Sequence, residues 1–425
     1  MADIPFPRGV RDLMPNEALF RNDLLNTIGA SFQRFGYLMI DTPAFESLKV
    51  LNAKDVIGED AKLLYEMKFE EIGLRYDQTV SLARYMAMHQ SLPLPFKRYA
   101  IGKAWRREEP QKLRYREFTQ ADIDIVGSAS SAADAEVIAI PGYIFESLGL
   151  PYKILINDRK FVDGMLESLN IKPEIRRQVM RAVDKLDKVG RDGVLESLTK
   201  LGLDRDTVAR LDALFNVHGG NEEKLAYLEK MITEKGEIAH IREVLNLLAN
   251  YNLKGTVEID LSLMRGLDYY TGIIFEFKLE NNDYKGTICA GGRYDNLIGV
   301  FAKKSMPAVG SSIGVDRLLD LLGFSSSIKY TYAQVFIANI ADTNYPYALK
   351  VANTLRANGI AVELNAAKRN ISNQLAYANS LKFPFAIVIG DAEEKLTKVK
   401  MRNLVTGTEA TLALKEAIDI IKRGV

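Results

Sequence analysis

The sequence predicts an α+β protein: a main domain on an antiparallel sheet with flanking helices, split by a helical insertion and followed by a small α/β domain. Three observations predict it. First, Phe275, Phe277 and Leu279 share one face of a strand and Glu276, Lys278 and Glu280 the other. The turn signal Asn281-Asn282-Asp283 follows, and apolar residues resume at Ile288, as in a hairpin. Second, residues 159–250 are mainly charged helical sequence, as in Ile175-Arg-Arg-Gln-Val-Met-Arg-Ala-Val-Asp-Lys-Leu186. Third, strands and helices alternate from about residue 331, the pattern of a mostly parallel sheet. The expected boundaries are 1–158 and 253–328 for the two parts of the main domain, 159–252 for the insertion and 329–425 for the last domain.

In chain order, residues 16–35 form an amphipathic helix with Leu24, Leu25, Ile28, Phe32 and Phe35 on one stripe and Gly36 as its stop. A short strand, Tyr37–Ile40, ends before Pro43. After the insertion, residues 256–263 return to strand alternation through Val257, Ile259, Leu261 and Leu263. In the last domain, strands are expected at Ala333–Ala338, Ala361–Leu364 and Phe385–Ile389, and helices at 345–358 and 371–381. Residues 331–425 carry 12 basic against 8 acidic side chains, a local bias that suits RNA.

Bulk composition narrows the chemistry. The 425 residues are 47% hydrophobic, and 56 basic residues against 55 acidic ones leave no global field for a polyanion. Cys289 is the one cysteine, which excludes an intramolecular disulfide and a cysteine-rich zinc site. His89, His218 and His240 are too dispersed for a histidine-spaced metal site. The N-terminus lacks a signal-peptide apolar run, and no segment approaches the roughly 18 apolar residues of a membrane span. A soluble, cytoplasmic protein is expected.

Chemistry-bearing residues gather in five segments. Arg265-Gly-Leu-Asp-Tyr-Tyr-Thr-Gly272 and Cys289-Ala-Gly-Gly-Arg-Tyr-Asp-Asn-Leu297 would lie on neighbouring strands with their polar groups converging. Between Lys103 and Gln120 stand six basic residues, Lys103, Arg106, Arg107, Lys112, Arg114 and Arg116, with Pro110 marking a loop between two strands. Arginine's planar fork of donors suits phosphate and carboxylate oxygens. A solvated charged hairpin is the alternative, although Trp105, Tyr115 and Phe118 lie among the arginines. Ala308-Val-Gly-Ser-Ser-Ile-Gly-Val-Asp-Arg-Leu318 combines small residues, which allow close backbone approach, with a helix starting near Ile313 that carries Arg317. Gly73-Leu-Arg-Tyr-Asp-Gln-Thr-Val80 contributes Asp77, which on its own reads equally as a turn or cap residue. The pair Tyr269 and Tyr270, taken alone, reads as core. Neither a phosphate-binding Gly-x-x-x-x-Gly-Lys-Ser/Thr loop nor a Gly-x-Gly-x-x-Gly turn is present, so any ATP site must be built from arginines on a sheet.

The first two blocks closely resemble the histidine-specific signatures of the histidyl-tRNA synthetases, a class II aminoacyl-tRNA synthetase family. The N-terminal helix, strand and Pro43 resemble class II motif 1, residues 103–120 resemble motif 2, and residues 308–318 resemble motif 3. The resemblance runs from Arg8-Gly-Val-Arg-Asp12 to the C-terminal domain, whose counterpart binds the anticodon. It implies a class II catalytic domain that activates L-histidine with ATP and Mg²⁺ and transfers it to tRNA(His), in a homodimer formed through motif 1.

By the same resemblance, Arg106 and Arg265 are catalytic. Arg106, Glu108, Arg114, Arg317 and Gly310 bind ATP. Asp77, Thr79, Gln120, Asp124, Arg265, Tyr269 and Tyr270 bind histidine. Gln111, Lys112 and Arg116 meet the acceptor end of tRNA. Metal enters with ATP rather than through protein ligands. One departure is Glu109, where bacterial members typically carry a basic residue; a carboxylate there repels phosphate and implies rearranged tRNA contacts. Asp77 and Asp124 look archaeal or eukaryotic, whereas the short Pro-Gln-Lys loop looks bacterial. The alternative is a non-catalytic histidine-binding regulatory paralogue of histidine biosynthesis; such paralogues typically lose the anticodon-binding domain and ATP-site arginines, which this chain retains.

Overall fold

A computed structural model describes residues 5–53, 63–215, 217–231, 236–264, 269–323, 330–367 and 369–424. It divides into two compact units, Met1–Val10 with Leu25–Leu322 and Arg11–Leu24 with Gly323–Val425.

The strands of the first unit are β1 (Leu38–Met39), β2 (Phe45–Ser47), β3 (Tyr65–Glu66), β4 (Ile72–Leu74), β5 (Phe96–Trp105), β6 (Glu117–Val126), β7 (Tyr152–Asp158), β8 (Thr256–Ile259), β9 (Ile273–Leu279), β10 (Thr287–Arg293) and β11 (Ala308–Gly314). Eight of them form one sheet in the order β1-β5-β6-β11-β10-β9-β7-β8, and β2, β4 and β3 form a small second sheet. The six central strands are antiparallel, and β1 and β8 pair parallel to the edges. The expected α+β fold is therefore present.

The two faces of this sheet have different fates. On one, Phe277 packs edge-on against Phe145 of the helix Ser131–Ser147, with ring centroids 5.5 Å apart. Burying each such ring contributes roughly 1.5–3 kcal/mol. The other face carries Glu276 and Lys278 and opens into a cleft. The period-2 pattern of β9 thus encodes which side is core.

The helix at the N-terminus runs Pro15–Arg34 with Leu24, Ile28 and Phe32 buried along the expected stripe. Among the described residues, six helices, from Arg159–Ser168 to Gly236–Asn250, occupy the charged region. One expectation fails: β8 stops at Ile259 instead of running to Leu263. Asp260 accepts hydrogen bonds from the backbone N–H (2.9 Å) and hydroxyl (2.6 Å) of Ser262, an Asx turn that ends the strand.

The second unit contains β12 (Val335–Asn339), β13 (Val362–Leu364), β14 (Phe385–Ile389), β15 (Lys398–Asn403) and β16 (Glu409–Ala413), in the order β13-β12-β14-β15-β16. The first three strands are parallel as expected, with helices Tyr345–Ala357 and Ile371–Ser380 between them. The hairpin β15–β16 is antiparallel and extends the sheet beyond the expected elements.

Candidate active site

The floor of the cleft is set by strand register. Arg98 on β5 stands opposite Asp124 on β6, which stands opposite Gly310 on β11, which stands opposite Gly292 on β10. One pair along, Ala100, Asp122, Ser312, Ala290 and Glu276 form the next row, and Gly102, Gln120 and Gly314 the one after. Small residues on β10 and β11 are steric requirements. A Cβ at Gly310 would lie 1.9 Å from Asp124 Oδ1, and one at Gly292 would lie 2.8 Å from the Tyr270 ring. The resulting cleft has a volume of about 530 Å³.

One half of the cleft is acidic and aromatic. It brings together Asp77, Thr79, Gln120, Asp124, Tyr269 and Tyr270, every residue expected to bind histidine except Arg265, which lies outside the described residues. Asp77 is also a cap: its Oδ1 accepts from the backbone N–H groups of Thr79 and Val80, both at 3.1 Å, at the start of the helix Thr79–Met88. The cap reading of Asp77 therefore holds on Oδ1, and the side chain also lines the cleft. Burial raises its pKa, against the pull of those bonds and of Arg106.

Tyr269 packs on Tyr270 at 5.0 Å and on Tyr294 at 6.0 Å, and burial first, then Tyr270 and Asp77, push its hydroxyl well above the usual range. It stays a neutral hydrogen-bonding group. Gln120 donates to Ser312 Oγ at 2.6 Å, whereas its Oε1 is buried without a hydrogen-bond partner among the described residues. A buried oxygen of that kind in a cleft is an acceptor waiting for a ligand donor.

The other half is cationic. Arg106 stacks on Phe118, 5.1 Å from the ring centroid, and donates through Nε to the Tyr76 carbonyl at 3.2 Å, which fixes the plane of its guanidinium. Arg114 pairs with Glu108 at 2.7 Å. Arg317, in the helix Val315–Leu322, donates to the Thr287 carbonyl and lies over Tyr284 at 5.8 Å. Gln111, Lys112 and Arg114 belong to a tight turn in which Gln111 and Arg114 exchange backbone bonds of 3.2 and 2.9 Å. The stem of the hairpin is tied into the protein, with Trp105 donating to Glu117 at 2.9 Å and Thr119 N–H to Asp316 at 2.5 Å, while Gln111 and Lys112 at its tip are exposed.

Arg116 does not line the cleft. Its Nε donates to the Glu108 carbonyl at 2.9 Å and its backbone N–H to the Gly9 carbonyl at 2.7 Å, so it staples the loop to the N-terminal segment. Glu109, expected to repel phosphate, pairs with Arg8 at 2.7 Å and lies 3.7 Å from Arg116. Its charge is met within the protein.

Three groups were not anticipated: Arg98, Asp122 and Tyr294. Arg98 is 1% exposed and lies 2.5 Å from Asp124 Oδ2, while the Tyr294 hydroxyl donates to Asp124 Oδ1. Burial raises the pKa of Asp124, and Arg98 and Tyr294 oppose it. Asp122 is pushed up to about 7 by burial against Arg98 and a hydrogen bond to Ser312. Asp122 was legible, since it shares the face of Asp124 two residues on. Arg98 was not, because only the pairing of β5 with β6 brings it there.

Comparison with known proteins gives a consistent result. The sequence profile described as histidyl-tRNA synthetase matches residues 9–318, and the anticodon binding domain profile matches residues 334–424. The histidine–tRNA ligase of Clostridium tetani is 38% identical over 429 residues, 97% of each chain. That of Korarchaeum cryptofilum is 37% identical over 436 residues, 99% of this chain and 98% of the relative. The crystal structure of histidyl-tRNA synthetase from Nostoc sp. PCC 7120 superposes with a TM-score of 0.86 at 32% identity over the whole of both chains. A Bacillus halodurans C structure described as an ATP phosphoribosyltransferase regulatory subunit/histidyl-tRNA synthetase shares the fold, with a TM-score of 0.75 at 23% identity over 91% of this chain and 98% of that one.

Proposed function

The chain belongs to the histidyl-tRNA synthetase family, and from that premise we propose how its cleft activates histidine with ATP and passes it to tRNA(His). It is a ligase of the aminoacyl-tRNA synthetase class. The observation that carries the assignment of roles is that a carboxylate–tyrosine pocket and three arginines face one cleft.

Asp77, with Thr79 and Gln120, holds the α-ammonium group of histidine. Asp124 and Tyr269 meet the two imidazole nitrogens, and Tyr270 packs beside the ring. A wrong side chain would leave these buried polar groups unpaired, which can discriminate by about 10⁴-fold or more. Arg106 holds the α-phosphate of ATP and Arg265 takes the α-phosphate and the histidine carboxylate, which attacks the α-phosphorus as pyrophosphate leaves. Such chemistry is mostly positioning and neutralisation of developing charge. Arg114 and Arg317 take the β- and γ-phosphates, with Glu108 orienting Arg114 and Gly310 completing the ATP contacts. Mg²⁺ enters as part of the ATP substrate.

In the second step, the 3′ end of the tRNA attacks the acyl carbon and AMP leaves. Gln111 and Lys112 at the turn meet the acceptor end, and Arg116 acts by anchoring that turn. The second unit, with its basic bias, reads the anticodon. The exposed apolar edge strand β1, with Leu38 62% and Met39 63% exposed, supports a homodimer through this edge. No helix among the described residues is long and apolar enough to cross a membrane, which suits a cytoplasmic enzyme.

The test is charging. With ATP, labelled histidine and total tRNA, the chain should place histidine on tRNA(His) and on no other tRNA. A chain that binds histidine yet forms no histidyl-tRNA would sink the reading and leave the regulatory role in its place.

A further inference from the structure

Among the described residues, Arg98 is the buried cation that pairs with the acidic half of the cleft and that the roles above do not use. It lies on β5, does not line the cleft, and is 1% exposed. Its Nη2 stands 2.5 Å from Asp124 Oδ2 as an ion pair, and its Nε is buried without a hydrogen-bond partner among the described residues. The hydroxyl of Tyr294 holds the other oxygen of Asp124. The carboxylate is thus held by a hydrogen bond on Oδ1 and by the ion pair alone on Oδ2, in a space that exists only because Gly310 has no Cβ. We propose that Arg98 is a positioning residue for histidine recognition, fixing Asp124 as an ionised acceptor for an imidazole N–H. This rests on the placement of the ring against Asp124 proposed above.

The physical argument is one of desolvation. A carboxylate buried without a cation takes up a proton rather than remain charged, and would then present O–H where the ring needs an acceptor. Asp124 has acidic company in Asp122 and Asp77, whose carboxyls its charge pushes further toward protonation. The groups that act on Arg98 are Asp122 and Asp124 from β6, Tyr294 beyond β10, and Arg75 from the segment before the helix Thr79–Met88. Arg75 is occupied elsewhere, donating to the carbonyls of Lys103 at 2.8 Å and Thr42 at 2.7 Å. Arg106 acts on Asp77 and belongs to the phosphate half. Among the described residues, that leaves Arg98 as the counter-charge of the imidazole-binding carboxylate.

The experiment compares wild type, Arg98→Met, Arg98→Lys, Asp124→Asn and the double variant Arg98→Met/Asp124→Asn in ATP–pyrophosphate exchange, with near-ultraviolet circular dichroism to confirm folding. Arg98→Met should raise the KM for histidine by about 10–100-fold, the worth of a hydrogen bond to a charged group. The KM for ATP should stay within about twofold, since the phosphate half is untouched, and Arg98→Lys should restore part of the loss. Because Arg98 acts through Asp124, the double variant should be no worse than Asp124→Asn alone. An unchanged KM for histidine in Arg98→Met, an equal rise in both KM values, or a double variant that multiplies the single losses would overturn the proposal. Should Arg98→Met not fold, Arg98→Lys with and without Asp124→Asn decides by the same criteria. An unchanged KM for histidine in Asp124→Asn would overturn the ring placement itself.

Discussion

Arg106→Ala is expected to lower the rate of ATP–pyrophosphate exchange by about 10²–10³-fold, the effect of removing one preorganised group from a developing oxyanion. The reason lies in how the side chain is held. Its Nε is committed to the Tyr76 carbonyl and its face to Phe118, so the remaining donors are fixed in direction before ATP arrives. A lysine at this position could restore charge but not the fork or the stacking, so Arg106→Lys should recover little of the loss. The KM for histidine should change far less than kcat, since Asp77, Asp124 and Tyr269 remain. Steady-state exchange at varied histidine and ATP checks both statements; a kcat within a few-fold of wild type would remove Arg106 from the chemistry.

The second large effect is expected from the smallest change. Gly310→Ala puts a methyl group 1.9 Å from Asp124 Oδ1 and 2.9 Å from the Ile123 carbonyl, and neither strand β6 nor β11 can yield without disturbing the centre of the sheet. The Asp124 carboxylate must turn, and its bond to Tyr294 breaks. Loss of a buried hydrogen bond to a charged group costs about 1.5–3 kcal/mol, and the KM for histidine should rise by at least about tenfold. The same clash should lower the melting temperature, so binding of histidine by the folded variant is measured by calorimetry below its melting point. Wild-type affinity in a folded Gly310→Ala protein would contradict the geometry.

Sequence patterns reported faces well and partners poorly. In β9 the alternation of Phe275 and Phe277 with Glu276 and Lys278 identified core and cleft sides in advance, because a strand has only two faces. The arginines of residues 103–120 were legible as a group because charge there is interleaved with Trp105 and Phe118. Arg98 was invisible for the opposite reason: a lone arginine in Phe96-Lys-Arg-Tyr-Ala100 reads as a solvent residue, and only cross-strand register sets it against Asp124. The hairpin β15–β16 escaped because Lys398, Lys400 and Arg402 mask the buried Val399 and Met401, a period-2 signal carried by only two apolar residues. Leu261 and Leu263 misled in the other direction. Both are buried at alternate positions, yet the Asx turn of Asp260 takes the backbone out of the sheet before them. Glu109 shows the limit of reading charge by position: its pair with Arg8 depends on an N-terminal segment 101 residues away.

The central claim is that one cleft joins a histidine-selecting pocket to an arginine-built ATP site. The most direct measurement is ATP–pyrophosphate exchange by the full chain with each of the twenty amino acids in turn. Exchange supported by histidine, with every other amino acid lower by about 10⁴-fold or more in kcat/KM, is the predicted result. Exchange with another amino acid and none with histidine would contradict it.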